Sequence, residues 1–385
     1  MKQNIDELAK FKIAFFLQSL AGGGAERAIV ALAGAIADQG FTVDLVIGDA
    51  QSDYHSEIAS NVNVHDFSTR SPVKTMRCLM AYLRYHNPQV IMSALDIPNL
   101  MLIISAKLVG YKGKIFISQR AVIDASLRNL KPCRRIITAF LQKLLFPYAD
   151  TLISNSKAAA NELLNRLSIP AEKIITIQNA IDSERIYKLS LEPLHDKFIE
   201  ENSLPVILTI GSLTKRKDIQ TLIKAIAIVI KHKKVKLVIL GKGPEQKNID
   251  TLISKLNLEE YIHLPGFDVN PYKWIAASSV FVSSSTEEGF PNVIAEALAL
   301  NCPVVATDCP GDTSDLLEFG KWGKLVPVGH VEQMSEAILT TINASNNPDG
   351  RKRAADFTPD KVTAAYLEAL MSMQCQTSSN IWRQE

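Results

Sequence analysis
The chain has 385 residues, a formal net charge of +2 and 47% hydrophobic residues; this exceeds what one core ordinarily supports and excludes both a largely disordered chain and one that binds nucleic acid through bulk charge. No apolar run reaches the ~18 residues of a membrane span, and the opening MKQNIDELAK lacks the charged start and apolar core of a signal peptide, so a cytosolic chain is expected. Cys78, Cys133, Cys302, Cys309 and Cys375 are scattered without a CxxC pair, which indicates neither a disulfide framework nor a zinc site.

Apolar strand-like runs at 12–17, 42–47, 90–93 and 114–118, with a helical pattern at 25–39, mark βαβ units and a parallel sheet. Between 176 and 204 the chain turns polar and irregular, with Pro193 and Glu200-Glu201, before a second strand-helix series runs through 205–210, 236–240, 262–266, 280–283 and 303–306. A last helix, with Pro359 near its first turn, is expected from 356 to 373. The expected domains are 1–188, 189–355 and a C-terminal helix and tail at 356–385. No short-period repeat is present, which disfavours a solenoid.

Three segments carry candidate chemistry. In Ser283-Ser284-Ser285-Thr286-Glu287-Glu288-Gly289-Phe290-Pro291-Asn292-Val293-Ile294-Ala295-Glu296, a strand turns into a helix predicted over 292–300, with Glu288 before that helix and Glu296 inside it. At about 1.5 Å rise per residue, Glu296 lies roughly 7 Å along the axis, so the carboxylates can flank a group docked at the helix start. The free amides and positive dipole end favour an anion there, and Gly289 permits close approach; an ordinary helix start with solvated acids gives the same pattern. Gly211-Ser212-Leu213-Thr214-Lys215-Arg216-Lys217-Asp218 places three cations after a strand, either to neutralise a diphosphate or as a solvated basic turn. Gly22-Gly23-Gly24 joins the first strand to the first helix and can meet a phosphate or sugar through its amides. It lacks the Gly-Lys-Ser/Thr ending of a P-loop and the third glycine of a dinucleotide fingerprint, which disfavours ATP hydrolysis and NAD binding.

Together with Ile153-Ser154-Asn155-Ser156-Lys157, Gln178-Asn179-Ala180-Ile181-Asp182, the glycines of Leu240-Gly241-Lys242-Gly243-Pro244 and Leu264-Pro265-Gly266-Phe267, these blocks resemble the retaining glycosyltransferases of family 4 over nearly the whole chain. The resemblance implies the GT-B arrangement, two facing Rossmann-like α/β domains with parallel sheets and a C-terminal helix crossing back to the first. It implies that Glu296 binds ribose hydroxyls, that Glu288 meets the donor sugar, and that the amides of Phe290, Asn292 and Val293 after Gly289 and Pro291 meet the sugar and distal phosphate. Lys217 would hold the diphosphate, Gly243 would belong to the same phosphate-facing strand ends, Gly266 and Phe267 would line the base pocket, and Gly23 and Gly24 would close from the first domain. No cofactor or metal is implied. Two positions depart from the family pattern: Ser212 stands where members carry Arg, leaving a phosphate contact to Lys215 or Arg216, and Ile117-Ser118-Gln119-Arg120 stands where many have His, making Arg120 the candidate there or else a structural cation. No triad is present, in keeping with front-face attack assisted by the leaving diphosphate.

Residues 101–150 carry nine cations against Asp124 and Asp150, a net +7. Arg128, Lys131, Arg134, Arg135 and Lys143 interleave with Leu127, Leu130, Ile136, Ile137, Phe140, Leu141, Leu144, Leu145 and Phe146, a pattern suited to an anionic membrane surface or to a helix packing on its own domain. The expected activity is transfer of a hexose or N-acetylhexosamine from a nucleoside diphosphate sugar, UDP-linked first and GDP-mannose second, to a saccharide, lipid-linked acceptor in bacterial surface polysaccharide assembly (O-antigen, lipopolysaccharide or capsule). The expected place is the cytoplasmic face of the inner membrane, bound peripherally. The alternatives are a nucleotide-sugar epimerase of the same architecture and a noncatalytic sugar-nucleotide binding module.

Overall fold
The computed structural model describes residues 11–20, 24–50, 57–120, 132–201 and 203–378. Its first sheet comprises β1 (Lys12–Ser19), β2 (Thr42–Asp49), β3 (Asn63–Asp66), β4 (Val90–Ala94), β5 (Lys114–Gln119), β6 (Thr151–Ser154) and β7 (Ile174–Thr176), in the order β3-β2-β1-β4-β5-β6-β7. The second comprises β8 (Val206–Ile210), β9 (Lys236–Leu240), β10 (Ile262–Gly266), β11 (Val280–Ser283), β12 (Val304–Thr307) and β13 (Lys324–Val326), in the order β10-β9-β8-β11-β12-β13. Every pairing is parallel.

Continuous apolar strands are explained by cores on both faces of each sheet. In β1, Ile13, Phe15 and Leu17 enter one core while Ala14 and Phe16 enter the other. The second sheet repeats the division, with Val206, Leu208 and Phe281 on one side and Ile207, Val280 and Val282 on the other. Each fully buried phenylalanine contributes about 1.5–3 kcal/mol, so the strands are held chiefly by this two-sided burial.

The helices that matter below are α1 (Gly24–Asp38), α2 (Pro72–His86), α3 (Asp96–Val109), α4 (Pro132–Leu145), α5 (Lys157–Arg166), α6 (Ser183–Ser190), α7 (Ile219–His232), α8 (Gln246–Lys255), α9 (Tyr272–Ala276), α10 (Asn292–Ala299), α11 (Val331–Asn343) and α12 (Pro359–Ser378). The chain divides into one unit of Met1–Asn179 with Pro359–Glu385 and another of Ala180–Thr358. The boundary expected at 188 lies earlier because Ile181 and the α6 residue Ile186 are buried in the second unit's core. That expected at 355 lies later because Phe357 packs edge-on against Phe290, ring centroids 5.3 Å apart. Helix α12 belongs to the first unit, where Tyr366, Leu367, Ala369 and Leu370 share a core with Ile29 and Ala33 of α1. Among the described residues no helix is long and apolar enough to cross a membrane.

Candidate active site
In the second sheet β8 lies between β9 and β11, so the strand order reverses there and the loops after β8 and β11 leave from neighbouring carboxyl ends. Such a switch point is where open α/β sheets bind ligands. The two loops are fastened together: the Thr286 amide donates to the Arg216 carbonyl at 2.8 Å and Ser284 Oγ donates to the Lys217 carbonyl at 2.8 Å. On the far side, the Glu288 amide donates to the Pro310 carbonyl at 2.9 Å. A side chain at Gly311 would collide with the Glu288 carbonyl, its Cβ falling 2.0 Å from that oxygen, so this glycine permits the close approach that positions Glu288.

The buried Glu288 carboxylate collects the charged groups of both loops. Lys217 Nζ donates to Oε1 at 2.6 Å, Ser285 Oγ donates to the same oxygen at 2.7 Å, and Arg216 Nη1 lies 3.3 Å from both Oε2 and the Glu287 carbonyl. Burial alone would push the carboxyl's pKa up; Lys217, Ser285 and Arg216 outweigh it and hold the group below the usual glutamate value. Glu288 is therefore an anion flanked by two cations at a loop edge, an arrangement able to orient polar groups on one side and neutralise a phosphate on the other.

Ser212 is exposed, as is Lys215, whereas Arg216 reaches the carboxylate. Of the two cations considered in place of the missing arginine, the fold thus brings Arg216 into the cluster. Gly243 lies where a Cβ would fall 2.3 Å from the Leu213 carbonyl, so the loop after β9 rests directly on the loop after β8. Gly266 ends β10 and its carbonyl accepts from the Gly241 amide at 2.7 Å, while Phe267 beyond it is exposed.

Helix α10 starts at Asn292 with Pro291 as its cap residue. Gly289 and Val293 are half-buried, Asn292 is exposed, and the Phe290 ring is core, packed on Phe357. Glu296 is tucked among α6, α9 and α10: burial pushes its carboxyl up to about 7, opposed by Tyr272, whose hydroxyl is 3.5 Å from Oε1, and by Arg185. Sequence reasoning passed over Ser285, Tyr272, Arg185 and Gly311. The serine run was visible beside Glu288, but Tyr272 and Arg185 come from other elements and carry no local signal.

In the first unit, Gly24 opens α1, and Gly23 lies outside the described residues. Arg120 follows β5 and is engaged within its own unit: Nη1 donates to Asn179 Oδ1 at 3.3 Å and Nη2 to the Tyr366 hydroxyl at 3.2 Å, joining the β5 end to α12. These bonds suit a structural cation.

Helix α4 inverts the usual division of polar and apolar residues. It buries Thr138 and Gln142, whose Nε2 donates to Asp96 Oδ1 of α3 at 2.7 Å, and rests Ala139, Leu141 and Leu145 on the core. Ile136, Ile137, Phe140 and Leu144 face outward at 71%, 58%, 65% and 52% exposure, among exposed Arg134, Arg135 and Lys143. Self-packing therefore accounts for only part of the apolar set. Phe146 is fully buried in the core, and Leu127, Arg128, Leu130 and Lys131 lie outside the described residues.

Residues 22–185 match the family described as Glycosyltransferase Family 4, and residues 204–344 match Glycosyl transferases group 1. The chain is similar over 378 residues, at 31% identity and covering 94% of itself and 99% of the relative, to the N-acetylgalactosamine-N,N'-diacetylbacillosaminyl-diphospho-undecaprenol 4-alpha-N-acetylgalactosaminyltransferase of Campylobacter jejuni. It is 24% identical over 346 residues to the capsular polysaccharide biosynthesis glycosyltransferase CapM of Staphylococcus aureus, covering 84% of this chain and 87% of CapM. Among solved structures it resembles a glycosyltransferase of Rickettsia africae, with a TM-score of 0.77, 16% identity and coverage of 95% and 99%. Anabaena HepE in complex with UDP follows at a TM-score of 0.75, 20% identity and coverage of 94% and 100%. With two parallel Rossmann-like sheets of matching architecture, the chain belongs to the family 4 glycosyltransferases and has the GT-B fold.

Proposed function
We propose that the protein transfers a hexose or N-acetylhexosamine, with retention of anomeric configuration, from a nucleoside diphosphate sugar to a hydroxyl of a lipid-linked saccharide in surface polysaccharide assembly. The observation that carries this reading is the Lys217–Glu288–Arg216 cluster at the second sheet's switch point. Lys217 and Arg216 supply the positive charge for the donor diphosphate, in binding and as it departs, so no metal or organic cofactor enters the scheme. Glu288 meets the donor sugar and Glu296 the ribose hydroxyls. The positive dipole end of α10, which starts at Asn292, completes an anion site. UDP is the favoured nucleotide, supported by Anabaena HepE, which is solved with UDP and with UDP-glucose. The scheme needs no protein nucleophile: the leaving diphosphate takes the acceptor proton while the protein orients both reactants.

The outward face of α4 supports the acceptor half. Four exposed apolar side chains ringed by cations are chemically matched to an anionic bilayer, into which the apolar groups insert while Arg134, Arg135 and Lys143 meet lipid phosphates. A membrane-borne acceptor brings the reaction to that surface, a reading supported by the Campylobacter relative, whose name gives a diphospho-undecaprenol-linked acceptor.

Purified protein incubated with UDP-, GDP- and ADP-sugars and a lipid-linked saccharide, with product analysis by NMR, tests the scheme. An α-linked product from an α-linked donor is expected, and Glu288→Gln should abolish it. Donor epimerised without acceptor would establish the epimerase alternative, and an inverted linkage would remove the retaining step.

A further inference from the structure
A second charged cluster lies near the starts of the strands in the first sheet. Asp44 of β2, His65 of β3 and His86 at the end of α2 bring one carboxylate oxygen and two ring nitrogens within 4.8 Å of one another. No spacing rule links these three positions, and no metal-ligand cluster was expected from the sequence; the pairing of Asp44 with Asn63 and of Val46 with His65 sets them side by side.

The carboxylate is already oriented. Asp44 is buried, Asn63 Nδ2 donates to Oδ1 at 3.1 Å and the Tyr82 hydroxyl donates to Oδ2 at 2.6 Å, the outer hydrogen bonds that fix a ligating carboxylate. His65 Nε2 stands 3.3 Å from Oδ2. Two ligands on a tetrahedral zinc ion, with bonds of about 2.0–2.1 Å, stand about 3.3 Å apart, so this pair has the required edge. The exposed His86 ring stacks on Tyr82 at 4.8 Å and meets His65 edge-on at 4.7 Å. At a helix end, a rotamer change can bring its nitrogen to a third corner. Lys12 Nζ, 3.5 Å from Oδ2, is the counter-charge a dication would displace toward solvent.

We propose that Asp44, His65 and His86 form a binding site for a zinc-class dication, with solvent in the fourth position, which fastens edge strand β3 to the end of α2. Two imidazoles and one carboxylate select such an ion over magnesium or calcium, which prefer all-oxygen shells. Asp44 and His65 belong to the strands and not to the loops at their carboxyl ends, so the site is structural and takes no part in sugar transfer.

Full-length protein freed of metal and titrated with zinc against a chromophoric chelator should take up one equivalent at micromolar zinc and show a raised Tm. Cobalt should give visible bands of a tetrahedral nitrogen–oxygen site without the near-ultraviolet band of thiolate ligation. His86→Ala, at an exposed position that leaves the core intact, should weaken uptake more than about tenfold, Tyr82→Phe about tenfold, and Lys12→Gln should tighten it. No uptake by the wild-type chain, a thiolate spectrum, or unchanged affinity in His86→Ala overturns the proposal.

Discussion

Two buried carboxylates, Glu288 in the second unit and Asp44 in the first, are built by the same physics in different settings. In both, burial raises the carboxyl's pKa and hydrogen bonds with neighbouring cations more than reverse it: Lys217, Ser285 and Arg216 for Glu288, and Tyr82, Asn63, Lys12 and His65 for Asp44. The difference lies in what holds the partners. Around Glu288 they come from loops at a strand-order reversal, the place where open α/β sheets bind ligands. Around Asp44 they come from paired strands and a helix packed on them, so the cluster braces the fold. A lowered pKa identifies a paired carboxylate; its place in the topology decides whether the pair serves chemistry or stability.

Lys217→Ala should separate the two most sharply. Losing the cation proposed to meet developing charge is expected to cut kcat by about 100–1,000-fold, and, because Lys217 also pairs with the buried Glu288 carboxylate, to cost about 3–5 kcal/mol of stability, read by steady-state transfer and denaturant unfolding. Tyr82→Phe should touch stability alone, leaving kcat within about twofold while costing about 1.5–3 kcal/mol in denaturant unfolding, because a hydrogen bond to a buried charge is lost. An equal effect of both variants on kcat would erase the distinction. The α4 face sharpens the contrast between loop chemistry and surface docking: Arg134→Glu with Arg135→Glu should lose about 2 kcal/mol of binding to anionic vesicles, roughly 30-fold in partitioning, from the ~1 kcal/mol each basic residue contributes. Transfer to a water-soluble acceptor should persist.

The last effect, which appears only as pH changes, concerns Glu296, where burial outweighs Tyr272 and Arg185. Its folded pKa of about 7 lies above the ordinary 4.5, so the folded state holds the proton more tightly and the chain loses stability as pH rises from about 4.5 through 7. Glu296→Gln, which cannot ionise, should equal the wild type near pH 4 and exceed it by roughly 3 kcal/mol at pH 8. Melting curves across that range check the sign; a gap that widens toward acid would contradict the buried carboxyl.

Much of the architecture was readable along the chain because two-sided burial writes itself as short apolar runs. The runs at 12–17, 236–240 and 280–283 fall within observed strands β1, β9 and β11. The places of Glu288 and Lys217 after strands and of Glu296 inside a helix were legible because a strand end, a glycine and a helix start are local signals. The domain boundary was misplaced because Ile186 sits on a short helix whose polarity resembles a linker, although its face is buried against the second core. The α4 face was half legible: the sequence disclosed a basic amphipathic pattern, but not that Thr138 and Gln142 turn inward while Ile136 and Phe140 turn out.

By itself the sequence determined the α/β class, the two strand-helix series and the kinds of groups gathered at the strand ends, since periodicity and turn chemistry act over a few residues. Only the tertiary structure decided which of those groups meet. Strand order set β8 beside β11 and thereby Arg216 and Lys217 on Glu288, and it set β2 beside β3 and thereby His65 on Asp44. Neither pairing is local, because the packing of parallel strands depends on crossovers many residues long.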